Sequence, residues 1–172
     1  ADLMAGMGVD VSSTERGELE TISMHVRRTD YAQYPDKHTM LEPSYYVKAV
    51  DLIRSAIRSS ESYEEATQLH ILVSCDDIQW CKHQEWIIRL SSSVTFITDI
   101  PDFIQMRVMS LCKHHIIANS SFSWWAAYLS STGKSEGRLS RNGVVVAPRT
   151  WFGREGPLVE LESLFPPEWI AI

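Results

Sequence analysis

The stretch HIIANSSFSWWAAYLSS, residues 115–131, changes character once along its length. It opens on a short apolar run of strand length over 115–119, passes through Asn-Ser-Ser, and continues as an aromatic and alanine-rich helix over 123–131. A strand that turns into a helix within a few residues is the building block of a parallel α/β sheet. Ser120, Ser121 or Ser123 can cap the helix, and the N–H groups of its first turn have no carbonyl one turn back. They point at whatever lies beyond the strand, and an anion fits there without a metal. The plainer reading is an ordinary serine cap followed by two core tryptophans. Asn119-Ser120-Ser121 also matches a glycosylation sequon, but a strand end directed into a cleft is a poor acceptor.

Working outward, the same alternation repeats. Strands are predicted at 21–26, 69–74, 93–98, 115–119 and 144–148. Helices are predicted at 43–60, with Pro43 in the first turn, around 78–90, at 102–112 and at 123–131. Alternating strands and helices give an α/β domain with a mostly parallel sheet and helices on both faces. Residues 1–20 are polar and without period, and read as a loose arm or linker remnant before a domain over 21–172. Residues 130–143 read as a Gly/Ser-rich, basic surface loop.

At 172 residues and 44% hydrophobic content, the chain suits one domain with a sizeable core. A net charge of −6 argues against a general nucleic-acid or anionic-membrane surface, so a basic group that matters must be local. No run approaches the roughly 18 apolar residues of a membrane-spanning helix. The chain starts at Ala1, which suggests trimming upstream, and a membrane enters only through an anchor in that absent part. Cys75, Cys81 and Cys112 lack zinc-ligand spacing and read as buried thiols.

In such sheets ligands bind outside the carboxyl ends of the strands. After the first strand comes HVRRTDY (25–31). Strand alternation puts His25 and Arg27 on one face and Arg28 on the other, and an arginine fork suits a pyrophosphate. The competing use of these charges is an Arg28–Asp30 surface ion pair. After the second strand, SCDDIQW (74–80) sets Asp76 and Asp77 side by side. They suit a metal, or more mildly a base, a ribose or the cap of the next helix. His114 and His115 are adjacent in a strand, point to opposite faces and read as structural, while Trp151 stands at the cleft mouth.

Together HVRRTDY, SCDDIQWCK (74–82), MSLCKHHIIANSSFSWWAAYL (109–129), VVAPRTWF (145–152) and FPPEWIAI (165–172) closely resemble the α-1,2-fucosyltransferase family, from about residue 21 to the end. The resemblance implies transfer of L-fucose from GDP-L-fucose to the 2-hydroxyl of a galactose-terminated glycan, with inversion and without a metal or other cofactor. It implies a Rossmann-like fold, the C-terminal nucleotide-binding half of a two-domain, GT-B type glycosyltransferase. Carried across, Arg27 holds the donor's β-phosphate with His25 nearer the guanosine, and Arg27, His25 and Asp30 are the catalytic candidates. Arg28, Asp76, Asp77, Asn119, Ser120, Ser121 and Ser123 are the donor-binding candidates. The chain departs from the family pattern at Thr29, where glycine is usual, and at Gln105, where an acid is common. Family enzymes carry another domain before the arginine motif, so a catalytically silent GDP-sugar-binding module is the alternative. The family works in the cytoplasm of bacteria and the Golgi lumen of eukaryotes.

Overall fold

The computed structural model describes residues 2–60, 64, 65, 67–132, 143–158 and 160–172. Its strands are β1 (Leu19–Val26), β2 (Gln68–Cys75), β3 (Ser93–Phe96), β4 (His114–Ile116), β5 (Val145–Ala147) and β6 (Ile170–Ala171). They form one sheet in the order β3-β2-β1-β4-β5-β6, and every pairing among the described residues is parallel. This is the order of the doubly wound nucleotide-binding fold. From β1 the chain steps outward through β2 to β3, then returns to the other side of β1 and steps outward through β4, β5 and β6. All carboxyl ends lie on one edge, and the reversal falls between β1 and β4.

The helices are α1 (Asp2–Gly6), α2 (Val11–Glu15), α3 (Thr29–Gln33), α4 (Pro43–Arg58), α5 (Ile78–Lys82), α6 (Glu85–Ile88), α7 (Asp102–Ser110), α8 (Ser121–Thr132) and α9 (Leu161–Leu164). Pro43 starts α4, where its missing N–H removes no bond, and Tyr46, Ala49, Val50 and Ile53 form the helix's buried stripe. That stripe packs with Ile22, Met24, Val26, Ile71 and Val73 of the sheet and with Cys81 and Ile87 of α5 and α6. The opposite face carries Leu72 under Val108, Met109 and Ala126 of α7 and α8. A third cluster, around Ile117, Val145, Phe165 and Trp169, closes the β4–β6 side.

β1 is buried along its whole length, yet Thr21, Ser23 and His25 alternate with its apolar residues. These polar groups occupy the α7–α8 face. Thr21 Oγ1 accepts Lys113 N–H at 3.0 Å, and Ser23 Oγ lies 2.7 Å from His115 Nδ1. His114 meets Glu20 at 3.3 Å and accepts Val144 N–H at 3.0 Å, so both histidines serve the sheet, as expected. Burial drives the His115 pKa down to about 3.

The structure departs from the sequence reading in several places, and β6, α3 and α9 were not predicted at all. Residues 2–17, expected as a loose arm, hold two short helices, and Met4 and Val9 are buried in the α7–α8 cluster. Asp10 starts α2 by accepting the N–H groups of Ser12 and Ser13. The helix expected around 78–90 is broken, with His83 and Gln84 between α5 and α6. Of the loop expected over 130–143, residues 130–132 complete α8, residue 143 is exposed, and 133–142 lie outside the described residues. Among the described residues no helix is long and apolar enough to cross a membrane.

Candidate active site

β1 ends at Val26, so Arg27 and Arg28 stand just beyond the sheet edge, at the point where strand order reverses. Arg27 donates from Nε and Nη2 to Asp30 Oδ1 and Oδ2 at 2.9 and 2.8 Å, and Nε lies 3.3 Å from Asp76 Oδ2. This paired contact fixes the guanidinium plane and leaves Nη1 without a protein partner among the described residues. The side chain is 32% exposed. The Arg27 bond holds the Asp30 carboxyl below the usual carboxylate range, and the same bond raises Arg27.

The sequence offered an Arg28–Asp30 pair, and the structure corrects the partner. Arg28 turns to the other side, with its guanidinium 4.1 Å from the Trp80 ring centre and Nε 3.7 Å from Asp77 Oδ2. The strand ends before either arginine, but the two still take different partners, and the basic pair is divided between two tasks.

Asp76 closes the turn between β1 and α3. Oδ1 accepts Arg28 N–H at 2.9 Å, while Oδ2 accepts Thr29 N–H at 3.0 Å and the Thr29 hydroxyl at 2.6 Å. Asp77 caps α5 by accepting Trp80 N–H at 3.1 Å. The milder of the two sequence readings, capping, thus accounts for Asp77 and extends to Asp76, which caps a helix on the neighbouring strand's loop. Thr29 adds a hydroxyl bond to Asp76 that a glycine cannot make.

His25 is only 3% exposed and packs against Phe122 at 5.4 Å between ring centres. Its Nδ1 has no partner, and burial drives its pKa down to about 4, so the ring is neutral. Its register neighbour Ser74 donates to Gln105 Oε1 at 3.1 Å, and Gln105 Nε2 donates to Ile100 O at 3.2 Å. The uncharged amide at 105 is thereby fixed at both ends under the α7 start.

From β4, Ile117–Asn119 lead into α8. Ser123 is fully buried and donates back to Ala118 O and Ser120 O at 3.3 and 3.2 Å, while Ser120 is half-buried and Ser121 exposed. The helix start is thus tied down by Ser123, with Ser120 and Ser121 at the carboxyl edge of the sheet after β4.

Asn119, expected to face a ligand, does something else. It is 2% exposed, and Nδ2 donates to Thr39 O at 2.9 Å and Trp151 O at 2.8 Å. Both of its N–H bonds are used on backbone, which removes it as a donor to a ligand and as a sugar acceptor in the folded chain. Trp151, expected at the mouth, packs edge-on against Phe165.

Two features were not read from the sequence. The segment after α3 is strapped to the segment after β5: Gly153 N–H donates to Lys37 O and Glu155 N–H to Asp36 O, both at 2.8 Å. The Thr39 hydroxyl adds a bond to Phe152 O at 3.1 Å. Tyr31 stacks on His38 with ring centres 4.4 Å apart and planes within 10°, and its hydroxyl donates to Asn119 O at 2.5 Å. His38 lies in an aperiodic stretch, and the only sequence signal was its place among the residues that follow β1.

Residues 4–172 match the sequence profile described as Glycosyl transferase family 11. The chain belongs to this family. Among curated family relatives, the alpha-1,2-colitosyltransferase of Escherichia coli is 35% identical over 158 residues, covering 88% of this chain and 47% of that protein. The O-antigen biosynthesis glycosyltransferase WbnK of Escherichia coli is 31% identical over 140 residues, covering 77% and 39%. The human galactoside alpha-(1,2)-fucosyltransferase 1 is 27% identical over 157 residues, covering 88% and 38%. The chain thus spans less than half the length of these relatives, and the family match includes most of the N-terminal pair of helices.

Proposed function

We propose that this chain is the donor-binding half of an inverting glycosyltransferase that moves L-fucose from GDP-L-fucose to the 2-hydroxyl of a galactose-terminated glycan. What supports this reading is that Arg27, just past the end of β1, and the start of α8, which follows β4, both lie at the carboxyl edge of the sheet where strand order reverses, with one edge of the Arg27 guanidinium left over from its pairing with Asp30. Departure of GDP leaves charge on the β-phosphate. A fixed guanidinium edge and first-turn N–H groups would meet that charge without reorganising, which supports a reaction needing no metal. Arg27 would contact the β-phosphate, the neutral His25 would lie toward the guanosine, and Ser120 and Ser121 would border the phosphates. Arg28, Asp76 and Asp77 would hold the β1 and β2 loops in shape around the donor.

A hydrogen bond to a charged group contributes roughly 1.5–3 kcal/mol. If it strengthens in the transition state, its loss slows transfer by about ten- to a hundredfold or more. The test is a titration of GDP and GDP-L-fucose, with EDTA present, into the unmutated protein and Arg27→Ala, followed by transfer assays on a galactoside. Binding lost on substitution and transfer that survives chelation are expected. Equal affinity in the two proteins would overturn the assignment of Arg27, and loss of activity with EDTA would overturn metal independence.

A second reading of the donor comes from the colitosyltransferase among the relatives. Colitose is L-fucose without its 3-hydroxyl, so the same phosphate groups serve both donors. Competition between GDP-L-fucose and GDP-colitose decides between them. Donor binding without any transfer in the full-length protein would instead favour a silent binding module.

A further inference from the structure

We infer that His38 is the base that takes the proton from the acceptor hydroxyl. The inference rests on the reading above, a transfer from a nucleoside-diphosphate sugar bound between Arg27 and α8. The balance of the step is simple. The acceptor oxygen forms a bond to the anomeric carbon as the bond from that carbon to the β-phosphate oxygen breaks. The hydroxyl proton passes to a ring nitrogen of His38, and the electron pair of the broken bond leaves on the diphosphate beside Arg27.

Elimination and geometry lead to the same residue. Both oxygens of Asp30 are engaged by Arg27, which makes it a weak base. Asp76 accepts from two backbone N–H groups and a hydroxyl, and Asp77 caps α5 while facing Arg28. His25 is buried. His70, His114 and His115 stand within the sheet away from its carboxyl edge, and His83 follows α5 and bonds Gln79 O. Asp99 and Asp102 follow β3, two strand spacings or about 10 Å from β1.

Among the described residues His38 is therefore the half-exposed imidazole at the carboxyl edge near Arg27. Imidazole is the side chain that most often serves as a general base. His38 is also held in place. Its ring lies flat on Tyr31, and Tyr31 is anchored through its hydroxyl to the backbone at the end of β4. The Arg27 guanidinium is 5.7 Å from the centre of that same ring, so one aromatic plate carries the group that receives the leaving charge and the group that takes the proton.

The charged and titratable neighbours of His38 are Asp30, whose carboxyl it helps to lower, Arg27 and Tyr31 from the β1–α3 side, and Lys37 beside it in the chain. Across the strap, Arg154 pairs with Asp36 at 3.4 Å.

The test uses the full-length protein and its His38→Gln and His38→Ala variants, with GDP titration, steady-state transfer over pH, and added free imidazole. General-base removal is expected to lower kcat by about 10²–10⁴-fold. GDP affinity should stay within about threefold, the fall of kcat at acid pH should disappear, and free imidazole should partly restore His38→Ala. Transfer by His38→Gln within about threefold of the unmutated rate would overturn the inference. So would a parallel loss of GDP affinity and thermal stability without imidazole rescue, which would mark His38 as structural. If the unmutated protein neither binds GDP nor transfers a sugar, the proposed function itself fails, and the inference with it.

Discussion

Arg27 is held by two carboxylates on one edge and open on the other. Arg27 and Arg28 stand among Asp30, Asp76 and Asp77, so the side chains alone leave this corner one negative charge in excess. On the proposed reading, a diphosphate would be attracted by direction rather than by net charge, through the Nη1 edge and the α8 start. Replacing Asp76 by alanine should leave Arg28 N–H and Thr29 N–H unpaired, lowering stability by about 1–3 kcal/mol in chemical denaturation. GDP affinity should fall as well, since Arg27 loses part of its support. Thr29→Ala removes only the hydroxyl bond and should lower stability by about 1 kcal/mol with GDP affinity nearly unchanged. That the arginines follow the end of the first strand was legible from the apolar run before them. The partner of Arg27 was not. At Arg28 the backbone turns to φ −142°, ψ −54° and starts α3, which brings Asp30 back over Arg27. Asn119 was misread for a related reason: its position at a strand end was clear, but the backbone carbonyls of Thr39 and Trp151 arrive from loops whose course has no periodic signal.

At the level of elements, α4 and the strap between the loops set the site from opposite directions. The stripe of α4 was readable as apolar spacing, and it explains why the α4 face of the sheet is so well filled. Ile53→Ala, at a fully buried position, should destabilise the fold by about 2–5 kcal/mol in denaturant titration while leaving the site's chemistry intact. The strap behaves differently, because it depends on backbone approach rather than apolar area. A Cβ on Gly153 would lie 2.4 Å from Asp36 O and 2.7 Å from its carbonyl carbon, and both atoms belong to backbone that has no rotamer to change. Gly153→Ala should push the two loops apart, lowering stability by about 1–3 kcal/mol and weakening GDP binding through the displaced 36–39 segment. Melting curves with and without GDP would separate these two effects. No sequence period announces such a contact, and a single glycine between Phe152 and Arg154 carried little information on its own.

For the molecule as a whole, the fold class was legible because every strand–helix alternation repeats the same physical logic, whereas the order of the strands was not read from the sequence. The short helices before β1 were not legible, since five-residue elements carry too little period to recognise. The buried polar layer on β1 makes stability depend on pH. His25 and His115 are held neutral, with pKa values pushed down from 6.5 to about 4 and about 3. The unfolded chain therefore binds more protons below pH 6.5. Stability is full above that value and falls as pH drops from about 6.5 toward 3, by at most about 1.4 kcal/mol per pH unit for each histidine. Denaturation midpoints measured across that window check the sign. A bound nucleotide should act oppositely: GDP at a hundred times its dissociation constant should add about 2.7 kcal/mol. The strap also has a consequence in time. Thr39 and Phe152 are 113 residues apart, so the loop behind the arginines can be fastened only after the last third of the chain has been made and docked. Closing so long a loop belongs to the late phase of folding. On a ribosome, β1 and β2 can pair early, but the arginine corner matures among the last parts of the domain, and a chain halted near residue 150 would carry a sheet without a finished site.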